Sequence, residues 1–204
     1  FIGYTPQANY QGTSYLNKPV KISSFADFQS IFCYPNPTTP SDIVKQYSPQ
    51  YYLVEQNTPI DDNFIEINSN YYAVLPDPNT VYYLYNSIRL FYANGGGDAY
   101  IVSVGTYGNP SGEPIKKEEQ IVNPNVKLNE LINGLSLLKN EQEPTLYICP
   151  EATLLSVEDN ENLMQKMLLQ CSEMQTAISL FDIICDKKPT ANNYKDSIAL
   201  FRNS

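Results

Sequence analysis

The sequence has 204 residues, of which 42% are hydrophobic and 12% aromatic, a composition that supports a buried core. Its 13 Lys and Arg against 22 Asp and Glu give a formal net charge of −9. This balance leaves no basic stripe to neutralise a phosphate backbone, so nucleic acid is not an expected partner. No run of residues approaches the roughly 18 consecutive apolar positions of a membrane helix, so no membrane partner is expected either.

Histidine is absent from the sequence. Its absence removes Ser-His-Asp and Cys-His catalysis, the commonest general base and the commonest zinc ligand. The four cysteines are Cys33, Cys149, Cys171 and Cys185, and no two of them form a CxxC pair. We expect buried free thiols in a reducing compartment, no cofactor and no enzymatic activity.

Continuous apolar runs of four to eight residues predict strands that are covered on both faces. These runs lie at 1–4, 99–104, 145–149 and 177–184. Their uniform apolarity predicts that the last three are central strands of a single sheet.

The segments between these runs show a helical period. Ser24 is predicted to cap a short helix that continues through Phe32. Asn79 or Thr80 is predicted to cap a longer helix that ends at Gly95.

Further helices are predicted in the second half of the chain. One is marked by apolar residues at three- and four-residue spacing: Leu128, Leu131, Ile132 and Leu135. Ser156, with Asp159 three residues later, is predicted to cap the next. Thr190 is a candidate cap for a last helix that carries Tyr194 and Phe201 on one face.

The alternation of strands and helices predicts an α/β fold, with a mostly parallel sheet flanked by helices. The core is assigned to residues 1–33 and 79–204. Residues 34–78, rich in proline and tyrosine, are predicted to form an inserted surface lobe with short extended pieces at 50–55 and 70–75.

Two motifs bear on whether the chain has a binding site. The glycines at 95–97 follow a helix and precede a strand, which is the reverse of a phosphate-binding loop, so they indicate a helix end. Glu151 and Asp182 follow two predicted neighbouring strands, where open α/β sheets place ligands. One alternative is therefore a metal-dependent α/β enzyme or ligand binder that uses these two carboxylates. Because Pro150-Glu151 can equally start a turn, we predict no catalytic, cofactor-binding or metal-binding residue.

Four blocks of sequence carry a family resemblance. They are FIGYTPQ at 1–7 with NKPVKISSFADFQSIF at 17–32, YNSIRLFYANGGGDAYIVSVG at 85–105, LYICPEATLL at 146–155 and MLLQCSEMQTAISLFDI at 167–183. In this order they resemble the tail sheath proteins of contractile phages and related injection systems. The block at 85–105, with its helix, glycine turn and strand, is the most specific match.

The resemblance implies a structural, non-enzymatic subunit whose partners are other sheath subunits and the inner tail tube protein. It implies a place in a virion tail or phage-like particle that is assembled in the bacterial cytoplasm. Sheath contraction drives the tube through a target envelope, and terminal arms lend strands to neighbouring subunits. Because sheath subunits are usually longer, we expect this chain to be the middle of a subunit and to be monomeric alone. A third reading is an adaptor or receptor-binding domain that uses the lobe at 34–78.

Overall fold

The computed structural model describes residues 1–34, 48–59, 64–108, 110–117, 119, 121–184 and 194–203. The strands are β1 (Ile2–Tyr4), β2 (Asn9–Tyr10), β3 (Thr13–Ser14), β4 (Pro19–Ile22), β5 (Tyr51–Gln56), β6 (Ile65–Ile67), β7 (Asn70–Pro76), β8 (Ala99–Gly105), β9 (Leu146–Ile148) and β10 (Ile178–Leu180). The helices are α1 (Phe25–Phe32), α2 (Tyr83–Ala93), α3 (Leu128–Leu137), α4 (Val157–Met174) and α5 (Tyr194–Asn203). These elements confirm the α/β class. Within the described ranges, no helix has the length and apolarity needed to cross a membrane.

Strand β8 lies at the centre of the first sheet, between β1 and β4. It pairs parallel with β1 and antiparallel with β4. Helices cover both faces of this sheet. One face belongs to a core cluster that includes Ile2, Val102, Val104, Leu131, Leu135, Leu163 and Met167. The other face belongs to a cluster that includes Ile22, Phe28, Phe32, Leu84, Ile88 and Ile101.

Strands β9 and β10 form a second, two-stranded parallel sheet. The predicted single sheet is therefore wrong, although residues 99–104, 145–149 and 177–184 all contain strands. An apolar run predicts burial but does not say which neighbour a strand pairs with. Nor is a mostly parallel sheet seen, because the strand pairs other than β1–β8 and β9–β10 in the described residues are antiparallel.

Two of the predicted helix caps are confirmed. The Ser24 hydroxyl accepts a hydrogen bond from the Asp27 amide at 3.1 Å, and α1 begins at the next residue. The Ser156 hydroxyl accepts from the Asp159 amide at 3.1 Å and starts α4 in the same way. Each cap satisfies an amide that the first turn of its helix leaves without a partner.

The start of α2 differs from the prediction. Asn79 and Thr80 belong to a short 3₁₀ turn, which the Asp77 side chain caps, and α2 begins later, at Tyr83, without a side-chain cap of its own. Gly95 follows the end of α2 with a positive φ of 83°, which is the backbone conformation typical of a glycine that ends a helix. Helix α5 is present, while its predicted cap Thr190 lies outside the described residues.

Both predicted extended pieces of the lobe are strands. Strand β7 lies between β5 and β6 in an antiparallel sheet. The Asp77 amide donates to the carbonyl oxygen of Gln50 at 2.8 Å, so the chain enters and leaves this sheet at adjacent points. The boundaries of the lobe at 34 and 78 stay a prediction.

Candidate functional site

Glu151 is the most unusual ionisable residue in the structure. It lies in a 3₁₀ turn, Pro150–Leu154, that follows β9 directly. Pro150 suits the first position of this turn because its ring fixes φ and it has no amide to leave unpaired. The turn directs the Glu151 side chain into the interior, where the residue is 0% exposed.

The Glu151 carboxyl group caps α2 from a distant part of the chain. Its Oε1 accepts a hydrogen bond from the amide of Leu84, in the first turn of α2, at 2.8 Å. The first amides of a helix lack partners within the helix and attract negative charge. Glu151 therefore supplies the cap that the residues before Tyr83 do not. The hydroxyl of Tyr107 donates a second hydrogen bond to the same oxygen.

The other carboxyl oxygen, Oε2, is buried and has no hydrogen-bond partner. It lies against Gly3 in β1, where a Cβ atom would come within 2.7 Å of the Glu151 carboxyl carbon. Only glycine leaves room for the carboxyl group at this position. A buried polar atom without a partner is costly, so this arrangement requires a physical explanation.

Burial raises the pKa of Glu151 from 4.5 to about 7, while the Tyr107 hydroxyl and the backbone amides of Leu84, Glu151 and Tyr4 oppose that rise. Burial and the nearby Glu151 carboxyl together raise the pKa of Tyr107 well above its usual range. Among the described residues, no Lys or Arg forms a salt bridge with Glu151. The carboxyl group can therefore take up or release a proton near neutral pH, although the residue is fully buried.

The structure does not bring Glu151 and Asp182 together. Asp182 is exposed, in the segment that follows β10. It lines a cavity of about 10 Å³ beside Cys149 and Ala152, and Glu151 is not part of that lining. Within the described ranges, no group of three or more Cys, Asp or Glu residues is placed to hold a metal ion.

Sequence reasoning found Glu151 but missed its partners. Gly3 and Leu84 belong to a strand and a helix that gave no sign of contact with the turn at 150–154. Tyr107 lies in the connection between β8 and α3, which has no periodic pattern. One feature of the sequence indicated that a distant residue caps α2: no Ser, Thr, Asp or Asn directly precedes Tyr83.

A second buried carboxylate, Asp77, is fully paired. One of its oxygens accepts from the amide and the hydroxyl of Ser111, both at 2.8 Å. The other accepts from the Asn79 amide at 3.0 Å. These bonds tie the end of the lobe sheet to the connection after β8, and their completeness indicates a structural role.

A groove of about 430 Å³ lies between β9, Phe1 and the end of α2. Its rim carries Lys21, which forms ion pairs with Glu143 at 2.7 Å and with Asp98 at 3.3 Å. These side chains are substantially exposed, so their pairing adds little stability.

No protein-family model matches the sequence, and no curated protein is significantly similar to it. The family resemblance therefore rests on the four sequence blocks alone.

Proposed function

We propose that the chain is a structural, non-enzymatic part of a contractile tail sheath subunit, which polymerises around an inner tube and contracts to drive it through a target envelope. The observation that carries this proposal is the order of the four resembling blocks, with 85–105 the most specific of them. The proposed partners are other sheath subunits and the tube protein, in a virion tail or phage-like particle assembled in the bacterial cytoplasm.

The packing of these blocks supports the proposal. Their segments form β1, β4, α1, most of α2, β8, β9, the second half of α4 and β10. All of these except β10 contribute residues to the two core clusters. The blocks also contact one another directly, since Glu151 in the third lies against Gly3 in the first. The parts of the chain that lack the resemblance, 34–78 and 106–126, hold the lobe and an irregular connection.

The exposed face of the lobe sheet also supports the proposal, because it suits contact with neighbouring subunits. Register places Leu53 opposite Val74 and Tyr51 opposite Pro76 on one face of its sheet. Leu53 is 48%, Val74 49% and Tyr51 59% exposed. A sheet that faces only water usually alternates apolar and polar residues, with the polar ones outward. An exposed face of this kind favours contacts with other subunits.

The geometry does not favour the enzyme or ligand-binder alternative, because Glu151 faces the interior and Asp182 faces the solvent. The adaptor or receptor-binding alternative would require a foreign partner on the lobe, and nothing in the described residues identifies one.

The test is electron microscopy of the full-length gene product, expressed with and without the tube protein of the same particle. We expect hollow helical tubes in negative stain, in a long narrow and a short wide form. The 204-residue chain alone serves as the control, and light scattering should report a monomer. A full-length product that stays monomeric beside its tube protein would overturn the proposal.

A further inference from the structure

Glu151 connects the two sheets of the core. No backbone ladder joins the β1–β8–β4 sheet to the β9–β10 sheet among the described residues. Glu151 follows β9, yet its carboxyl group contacts three segments that belong with the other sheet. These are Gly3 in β1, Leu84 at the start of α2 and Tyr107 after β8.

The titratable groups that face Glu151 offer no fixed positive charge. They are Tyr4 and the amino group of Phe1 from β1, Tyr83 from α2, Tyr107 after β8 and Cys149 at the end of β9. Burial lowers the pKa of the Phe1 amino group to about 6, while the nearby Cys149 and Glu151 side chains oppose that fall. Helix α4 contributes a neutral amide, since Asn160 donates to the carbonyl oxygen of Ala152 at 2.8 Å.

We propose that Glu151 is a proton-controlled joint between the two sheets, closed when the carboxyl group is protonated and opened when it is ionised. Ionisation would leave a charge in the interior that pairs with no Lys or Arg among the described residues and that only the Tyr107 hydroxyl and backbone amides can stabilise. A buried charge without a counter-charge is expensive, and the least costly relief is to separate the 150–154 turn from β1 and α2. This inference does not depend on the proposed function.

The direction of the pH dependence follows from the two states of the joint. In the closed state the pKa of Glu151 is raised to about 7, whereas a solvated glutamate has the ordinary value of 4.5. The closed state therefore binds more protons between these two values, and its stability falls as pH rises through that window. The shift corresponds to a change on the order of a hundredfold in the opening equilibrium.

Hydrogen exchange of the Leu84 amide tests the joint, because that amide donates directly to Glu151. Exchange is measured at pH 5 and pH 8 on the 204-residue chain, corrected for the intrinsic pH dependence of exchange. We expect opening at Leu84 to increase from pH 5 to pH 8 on the order of a hundredfold more in the natural sequence than in Glu151→Gln. The Phe1 amino group, whose lowered pKa lies in the same range, titrates in both proteins and cancels in this comparison. The control Asp182→Asn removes an exposed carboxylate and should behave like the natural sequence.

Equal pH dependence in Glu151→Gln and the natural sequence would overturn the proposal. Tyr107→Phe provides a second test if Glu151→Gln does not fold. The Tyr107 hydrogen bond lowers the pKa of Glu151, so its removal should raise the midpoint of the Glu151 titration, observed by ¹³C NMR of the carboxyl carbon. A merely structural hydroxyl would leave that midpoint in place, and an unmoved midpoint would count against the joint.

Discussion

At the scale of single residues, the core depends on the contact between Gly3 and Glu151. The two residues are far apart in the sequence, and the position of each requires the other. The carboxyl group needs the space that a side chain at Gly3 would occupy, and it is held there by Leu84 and Tyr107. A small residue is thus required in a strand whose neighbours Ile2 and Tyr4 are large and fully buried.

Gly3→Ala should destabilise the protein. The added methyl group overlaps the Glu151 carboxyl group, which cannot move without breaking its hydrogen bonds to Leu84 and Tyr107. We expect a loss of about 1–3 kcal/mol in the free energy of unfolding, measured by urea denaturation.

Gly97→Ala is the matched control. A Cβ atom at Gly97 meets nothing within 4 Å, so this change should alter the free energy of unfolding by less than about 0.5 kcal/mol. If Gly3→Ala were as stable as Gly97→Ala, the close packing of Glu151 against β1 would be wrong.

At the scale of elements, the helices differ in where their caps come from. Helices α1 and α4 are capped by the serine that directly precedes them. Helix α2 has no such residue, and its first turn is satisfied by Glu151 from the other sheet. Helices α1 and α4 therefore carry their own start signal, whereas the start of α2 depends on the assembled core.

Ser156→Ala should weaken α4 by removing the hydroxyl that accepts from the Asp159 amide. Loss of such a cap typically costs about 1 kcal/mol, which urea denaturation of the variant can resolve. Ser172→Ala is the control, because Ser172 is exposed near the end of the same helix, where alanine is the better helix former. Equal losses in the two variants would argue against the cap.

At the scale of the whole molecule, the lobe sheet behaves as an appendage. Strand β7 pairs with β5 and β6 along its length, and the main packing contacts of these strands are with one another. Polar contacts join the lobe to the rest of the chain: the Asp77–Ser111 hydrogen bonds, a salt bridge between Glu55 and Lys117 at 3.2 Å, and a junction at Gln50. There Asp77 donates its amide to Gln50, and Thr80 accepts from the Gln50 amide at 2.9 Å.

Excision of residues 51–76 should leave a folded core. The ends to be joined, Gln50 and Asp77, already lie within hydrogen-bond distance, so a two-residue Asn-Gly turn can span them. We expect the variant to keep the helical circular dichroism signal and a single cooperative thermal transition. Loss of that transition would show that the lobe belongs to the core, contrary to the predicted division at 34–78.

The elements whose signals are local could be predicted from the sequence. Apolar runs marked β1, β8, β9 and β10, although β9 and β10 are shorter than predicted. Ser24 and Ser156 marked the starts of α1 and α4, and Gly95 marked the end of α2. Each of these signals depends on residues within one turn of the position it marks, so it can be read without knowledge of the fold.

Which strands pair and what Glu151 does depend on long-range contacts that no local signal in the sequence reveals. The apolar runs at 99–104 and 145–149 are alike in composition, yet they lie in different sheets. Glu151 and Asp182 both follow strands, yet one is buried and the other is exposed. The pKa of a carboxyl group depends on the desolvation and the donors around it. For Glu151 the desolvation and the donors come from the segments that contain Gly3, Leu84 and Tyr107. These segments become its neighbours only when the chain has folded.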